Sequence, residues 1–117
     1  MSGIIVLPAP PPDGIPIVKA KLIRLNELSS TVFAGILVPE DGEKRHGWIE
    51  FRWRYGPMNV HSKVVASACE GHGEWAHLGE GRYHIFNVVP TAHELQIRLL
   101  VEYGRDLDVR VHIIVFR

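Results

Sequence analysis

The chain has a single cysteine, Cys69, in 117 residues, so no disulfide can form within it. That separates it from small secreted scaffolds stapled by several bridges, and it fits a reducing cytosol or a particle assembled in one. Neither sign of charge is in surplus, since 13 Lys and Arg stand against 13 Asp and Glu. Phosphate binding needs basic residues gathered in excess on one face, so nucleic acid is not expected as a partner. No apolar run approaches the roughly 18 residues of a membrane span, and the first, IIVL, stops at Pro8. The opening MSGIIVLPAP also lacks a basic n-region, so neither a cleaved leader nor a membrane partner is expected.

Signatures of catalysis are equally scarce. There is no HExxH helix motif, no HxH pair that would set two imidazoles on one strand face, and no P-loop or dinucleotide fingerprint. Cys69 lies near His72, a pair able to form an activated thiolate, but no third orienting group and no strand-to-helix elbow accompany it. Glu70 and Glu74 fall in a polar stretch without the apolar setting that would drive two carboxyl pKa values apart. No enzyme, cofactor or metal is therefore expected.

What is present is an ordinary globular composition, 46% hydrophobic and 22% charged. A single domain of this size buries roughly two-thirds of the surface of its unfolded chain. The expected organisation is an extended arm over residues 1–16 and one domain over 17–117. Five of the eight prolines fall within the arm, and PAPPPDGIP can form neither a helix nor a central strand. A polyproline-type extended conformation suits it. Ile4, Ile5, Val6 and Leu7 would be costly to leave in water. Together with Pro10, Pro11 and Pro12 they are candidate contacts with another protein subunit.

Beyond the arm the dominant period is two. In WIEFRWRY, Ile49, Phe51, Trp53 and Tyr55 alternate with Trp48, Glu50, Arg52 and Arg54, which predicts a strand with one buried face. IVKAKLIRL, TVFAGILV, NVHSKVVASA, RYHIFNVV and DVRVHIIVFR predict further strands, and PEDGEKRHG an exposed charged turn. Residues 91–104 are ambiguous. Thr91 with Glu94 matches a helix capping box, yet Leu95, Ile97, Leu99, Val101 and Tyr103 alternate without a fault, with only Leu100 apolar on the other face. A strand is favoured, with GRDLD as the hairpin loop after it. Seven or eight short strands joined by Gly and Pro turns point to an all-β fold, an antiparallel β-sandwich of jelly-roll or immunoglobulin-like type.

Residues 68–84, ACEGHGEWAHLGEGRYH, gather three histidines and three glutamates. His72, His77, His84, Glu74 and Glu80 offer enough donor atoms for a transition metal, but their spacing matches no metal motif. A loop over Glu70–Glu74 and a three-residue turn at Gly79-Glu80-Gly81 are expected. That turn sets Leu78 opposite Arg82 and His77 opposite Tyr83, splitting His77 and His84 between faces.

What remains is surface for binding. Trp48, Arg52 and Trp75 are residue types typical of protein-interface anchors, and an exposed Trp also suits stacking on a sugar ring. The leading expectation is a non-enzymatic assembly protein that binds other protein subunits, as a homo-oligomer or larger assembly, through the arm and a sandwich face. A virion component, such as a capsid or tail accessory protein, is the concrete form, located in the cytoplasm or in the assembled particle. The alternative is a carbohydrate- or ligand-binding β-sandwich module.

Overall fold

The computed structural model describes residues 9, 14–72, 75–77, 82–103 and 105–116, with the backbone alone for His72 and residues 75–77. Eight strands form: β1 (Ile17–Glu27), β2 (Val32–Pro39), β3 (Gly47–Arg54), β4 (Lys63–His72), β5 (Trp75–His77), β6 (Arg82–Thr91), β7 (Glu94–Glu102) and β8 (Arg110–Phe116). Among the described residues there is no helix. All join one mixed sheet in the order β5-β4-β8-β2-β1-β3-β7-β6, with seven strands making its body and three-residue β5 hung on the edge of β4.

The sheet curls nearly into a barrel because β1 belongs to two halves of it. Its first residues pair in parallel with β3, Ile17 opposite Glu50 through Lys19 opposite Arg52. From Ala20 onward it pairs antiparallel with β2, with a bulge between Leu22 and Arg24. A bulge adds an unpaired residue, bends the strand and increases its twist, which turns one half of the sheet over the other. The strands at the two ends of the order, β4 and β6, then approach one another. Tyr83 on β6 spans the gap, its hydroxyl donating to the carbonyl of Asp108 at 2.9 Å.

Alternation places the core where the sequence puts it. Ile49, Phe51 and Trp53 of β3, Leu95, Ile97, Leu99 and Val101 of β7, and Val111, Ile113 and Val115 of β8 are all buried inside the curl, against Phe33 and Leu37 of β2. Phe33 meets Trp53 edge-on at 6.4 Å and Tyr55 at 5.4 Å, and Trp53 stacks on Tyr55 at 4.8 Å.

Residues 94–102 are strand, not helix. Thr91 and Glu94, read alternatively as a capping box, instead face each other across the β6–β7 turn, and the Thr91 hydroxyl donates to the Glu94 carbonyl at 3.0 Å. His93 takes a left-handed backbone (φ 64°), fixed by its Nδ1 contact with the Gly56 carbonyl and its N–H donation to the Met58 carbonyl. The charged turn at 40–46 forms as expected, tied by Asp41 to Arg45 and by a reciprocal backbone pair between Arg45 and Leu107.

Four expectations need correction. The sheet is not wholly antiparallel, because β1 and β3 run in parallel. β7 and β8 do not form a hairpin: β7 lies between β3 and β6, and β8 between β2 and β4, in the other half of the sheet. Residues 59–62 form a turn closed by Ser62 N–H on the Asn59 carbonyl, so β4 begins only at Lys63. Finally, Glu70, Gly71 and His72 belong to β4 and pair with His77, Ala76 and Trp75, so His77 does not stand opposite Tyr83. The arm contacts Ile4, Ile5, Val6, Leu7, Pro10, Pro11 and Pro12, and the turn at 79–81, lie outside the described residues.

Candidate functional site

A strand with a filled inner face still presents its alternate residues outward. On β8 these are Arg110, His112, Ile114 and Phe116; their neighbours include Val65, Ser67 and Cys69 on β4 and Ala34 and Ile36 on β2. Two of these positions are large exposed apolar side chains, Val65 (60% exposed) and Ile114 (37%), and Phe116 is a third. Val65 and Ile114 line a groove of about 480 Å³ whose walls also include Arg24, Ala34, Ile36 and His112. The groove is mixed in character: Ala34, Ile36, Val65, Ala66 and Ile114 give it apolar walls, and Arg24, Asn26, Ser67 and His112 add polar groups. Burial pushes the His112 imidazole below its ordinary pKa, and the positive charge of Arg110 adds to this. At neutral pH its ring is thus uncharged.

Sequence reasoning missed this surface, although a signal was present. Val64-Val65, Ile36-Leu37 and Ile113-Ile114 are doublets at which strict alternation fails, meaning that both faces of the strand are apolar. All three doublets lie in the strands that wall the groove.

Trp48 and Arg52 project from the outer face of β3, on the other half of the sheet. Trp48 stands opposite Leu100 and lies against Phe86 at 4.6 Å with a 42° tilt. Leu100 also stands opposite His84 and is only 2% exposed, so the one apolar residue that interrupts the outer face of β7 is sheltered there. Arg52 is bound to Glu50, Nε and Nη2 each 2.7 Å from Oε2, while Arg98, directly opposite, reaches Oε1 at 2.9 Å. Trp75 forms backbone pairing with His72 at the β4–β5 edge. The structure therefore brings Trp48 and Arg52 to one face but places neither in the groove.

Glu50 is only 6% exposed. Burial opposes its charge, but the hydrogen bonds from Arg98 and Arg52 outweigh that and hold its carboxyl below the ordinary value of 4.5. A lowered folded-state pKa contributes stability above the unfolded value, and this is lost as pH falls through the folded one. Wild-type stability should accordingly drop on acidification below about pH 4.5, and Glu50→Gln should flatten that part of the profile. Urea midpoints measured across the acid range check it; parallel profiles for the two proteins would refute it.

Cys69 stands opposite Arg110, and burial raises its thiol pKa, an effect only partly countered by the Arg110 charge. At neutral pH it is a protonated thiol. Among the described residues no group of three or more His, Cys, Asp or Glu is arranged to hold a metal. Of the metal candidates, His84 lies 3.8 Å from Glu102, Glu74 and Glu80 lie outside the described residues, and for His72 and His77 only the backbone is described.

No protein-family model matches this chain, and neither does any curated protein or solved structure with which it was compared.

Proposed function

We propose that this chain is a non-enzymatic assembly protein that binds further copies of itself, the arm of one copy lying in the groove of the next. In this reading the two halves of the curled sheet act as the layers of a sandwich, and the outer side of the β4–β8–β2–β1 half is the docking face. The observation that carries the proposal is that groove: exposed apolar side chains, Val65 and Ile114, wall an open channel on the outside of a sheet whose inner side is already filled by the core. Exposed apolar surface gathered in one place is a feature of interaction sites more than of monomer surfaces.

The occupant is argued from the chain itself. Ile4–Leu7 form its most apolar segment outside the domain and lie seven to ten residues before Gly14. In polyproline geometry that distance is roughly 22–31 Å at about 3.1 Å per residue. The groove begins at Arg24, seven residues along β1 from Ile17, or roughly 23 Å further on at about 3.3 Å per residue. To fill its own groove the arm would have to reverse at Gly14–Pro16 and run back nearly taut. A neighbour's arm has no such constraint. A virion accessory role remains the concrete context proposed for such an assembly. A carbohydrate-binding role has less support, because the Trp48 ring is partly covered by its contact with Phe86.

Light scattering on the full chain should report an oligomer. Ile5→Asp with Val6→Asp, and separately Ile114→Asp, should each yield monomers whose circular dichroism is unchanged. A monomeric wild type sinks the proposal. Wild-type assembly by the arm variant removes the arm as the connector, and wild-type assembly by Ile114→Asp removes the groove as its seat.

A further inference from the structure

At the other end of the same outer face lies a second cleft, of about 390 Å³, between the β4–β8 edge and the 40–46 turn. Its walls include Lys21, Val38, Glu43, Gly71, Asp108 and Arg110. Arg110 is the unusual member. It occupies an outward position on β8, opposite Cys69, yet it is only 4% exposed. Its Nε and Nη1 have no hydrogen-bond partner among the described residues. Neither Glu43 nor Asp108 forms an ion pair with it. The Asp108 backbone carbonyl is taken up by Tyr83.

A guanidinium remains charged at any physiological pH and carries five donors in a rigid fork. Burying such a group without a counter-ion costs several kcal/mol, which is why buried arginines are almost always paired. Here the nearby groups only register the charge: the field of Arg110 acts on both the Cys69 thiol and the His112 ring. A buried, unpaired cation at the wall of an open cleft is the form an anion site takes before its ligand arrives.

We infer that this cleft binds the carboxylate of a small organic acid, with Arg110 as its buried counter-ion and Lys21 as a second cation at the rim. The charge balance of the walls selects the class. Among the described residues of the walls, Lys21 and Arg110 are matched in number by Glu43 and Asp108, so an anion of single charge meets less repulsion there than a multiply charged one. A polyphosphate would meet the two acidic side chains. The planar carboxylate also matches the guanidinium fork in a way a single-point anion does not. Ile23, Val38 and Pro39 leave an apolar flank for a short carbon chain. This inference is independent of the assembly reading, since it uses neither the arm nor the groove proposed to seat it.

The test is calorimetric titration of the full chain with acetate, propanoate and inorganic phosphate at constant ionic strength set by chloride. Each is also checked for its effect on Tm. The carboxylates should bind and raise Tm, propanoate more than acetate, while phosphate binds more weakly. Arg110→Met keeps the apolar stem and removes the charge, and should weaken carboxylate binding roughly thirtyfold or more. Its unliganded Tm should equal or exceed that of wild type, because an unpaired buried charge has been removed. Should Arg110→Met fail to fold, Lys21→Met, an exposed rim substitution, should still weaken binding several-fold. Three results would each overturn the inference: no carboxylate binding by wild type, phosphate binding tighter than propanoate, or undiminished binding by the variant that folds.

Discussion

Replacing Phe33 with alanine is expected to destabilise the protein by about 3–5 kcal/mol, the range for deleting a buried aromatic ring. Phe33 is fully buried on β2 and is the meeting point of the aromatic core, edge-on to Trp53 and tilted against Tyr55. Its loss removes the transfer free energy of the ring and leaves a cavity that its neighbours fill poorly. Trp53, near the end of β3, and Tyr55, just beyond it, are stacked on each other, so neither ring can swing into the gap without breaking that stack. A small domain has only about 5–15 kcal/mol of stability in total, so Phe33→Ala should approach the limit of folding. Chemical denaturation with tryptophan fluorescence suits the test, since the Trp53 environment reports on the same cluster. A loss under about 1 kcal/mol would place Phe33 outside the cooperative core.

Gly35→Val is the second large effect, and its sign separates two physical accounts. Gly35 lies between Phe33 and Leu37 on the inward face of β2, opposite Ile113. Intrinsic strand preference favours valine over glycine there, which by itself predicts a gain. Close packing predicts the opposite. A Cβ at this position would lie 2.6 Å from Leu22 Cδ1 and 3.2 Å from the Arg24 carbonyl oxygen. The leucine methyl can rotate away. The carbonyl belongs to the β1 bulge and cannot yield without disturbing the bend that curls the sheet. Overpacking of this kind typically costs about 1–3 kcal/mol, and the pinned carbonyl puts valine at the upper end. Leu22→Ala in the same chain should recover part of the loss, so the double-mutant cycle should be non-additive. A Gly35→Val protein as stable as wild type would show that strand preference outweighs the close approach.

Both effects turn on the difference between a face and a neighbour. Period-two alternation fixes which of two faces a side chain takes, and that much was legible: Ile49, Phe51 and Trp53 are buried, and Leu95 through Val101 form a strand despite the capping-box residues beside them. Alternation does not say what lies over the outer face. Leu100 and Ile114 are both apolar residues on an outer face, yet Leu100 is sheltered beside Trp48 and Ile114 borders an open groove. Arg52 read as an interface anchor, but it is held by Glu50, whose other partner, Arg98, lies 48 residues further along the chain.

The sequence by itself determined the all-β character, most strand positions, the core side of β3 and β7 and the exposed charged turn. These depend on local residue order, and a side chain's direction along a strand repeats every two residues whatever the topology. Only the tertiary structure decided that β1 runs parallel to β3, that one bulged strand serves both halves of the sheet, and that Arg110 is buried at the wall of a cleft. Strand pairing and burial from outside are non-local, set by which distant segments close over one another, and no periodicity within a strand encodes them.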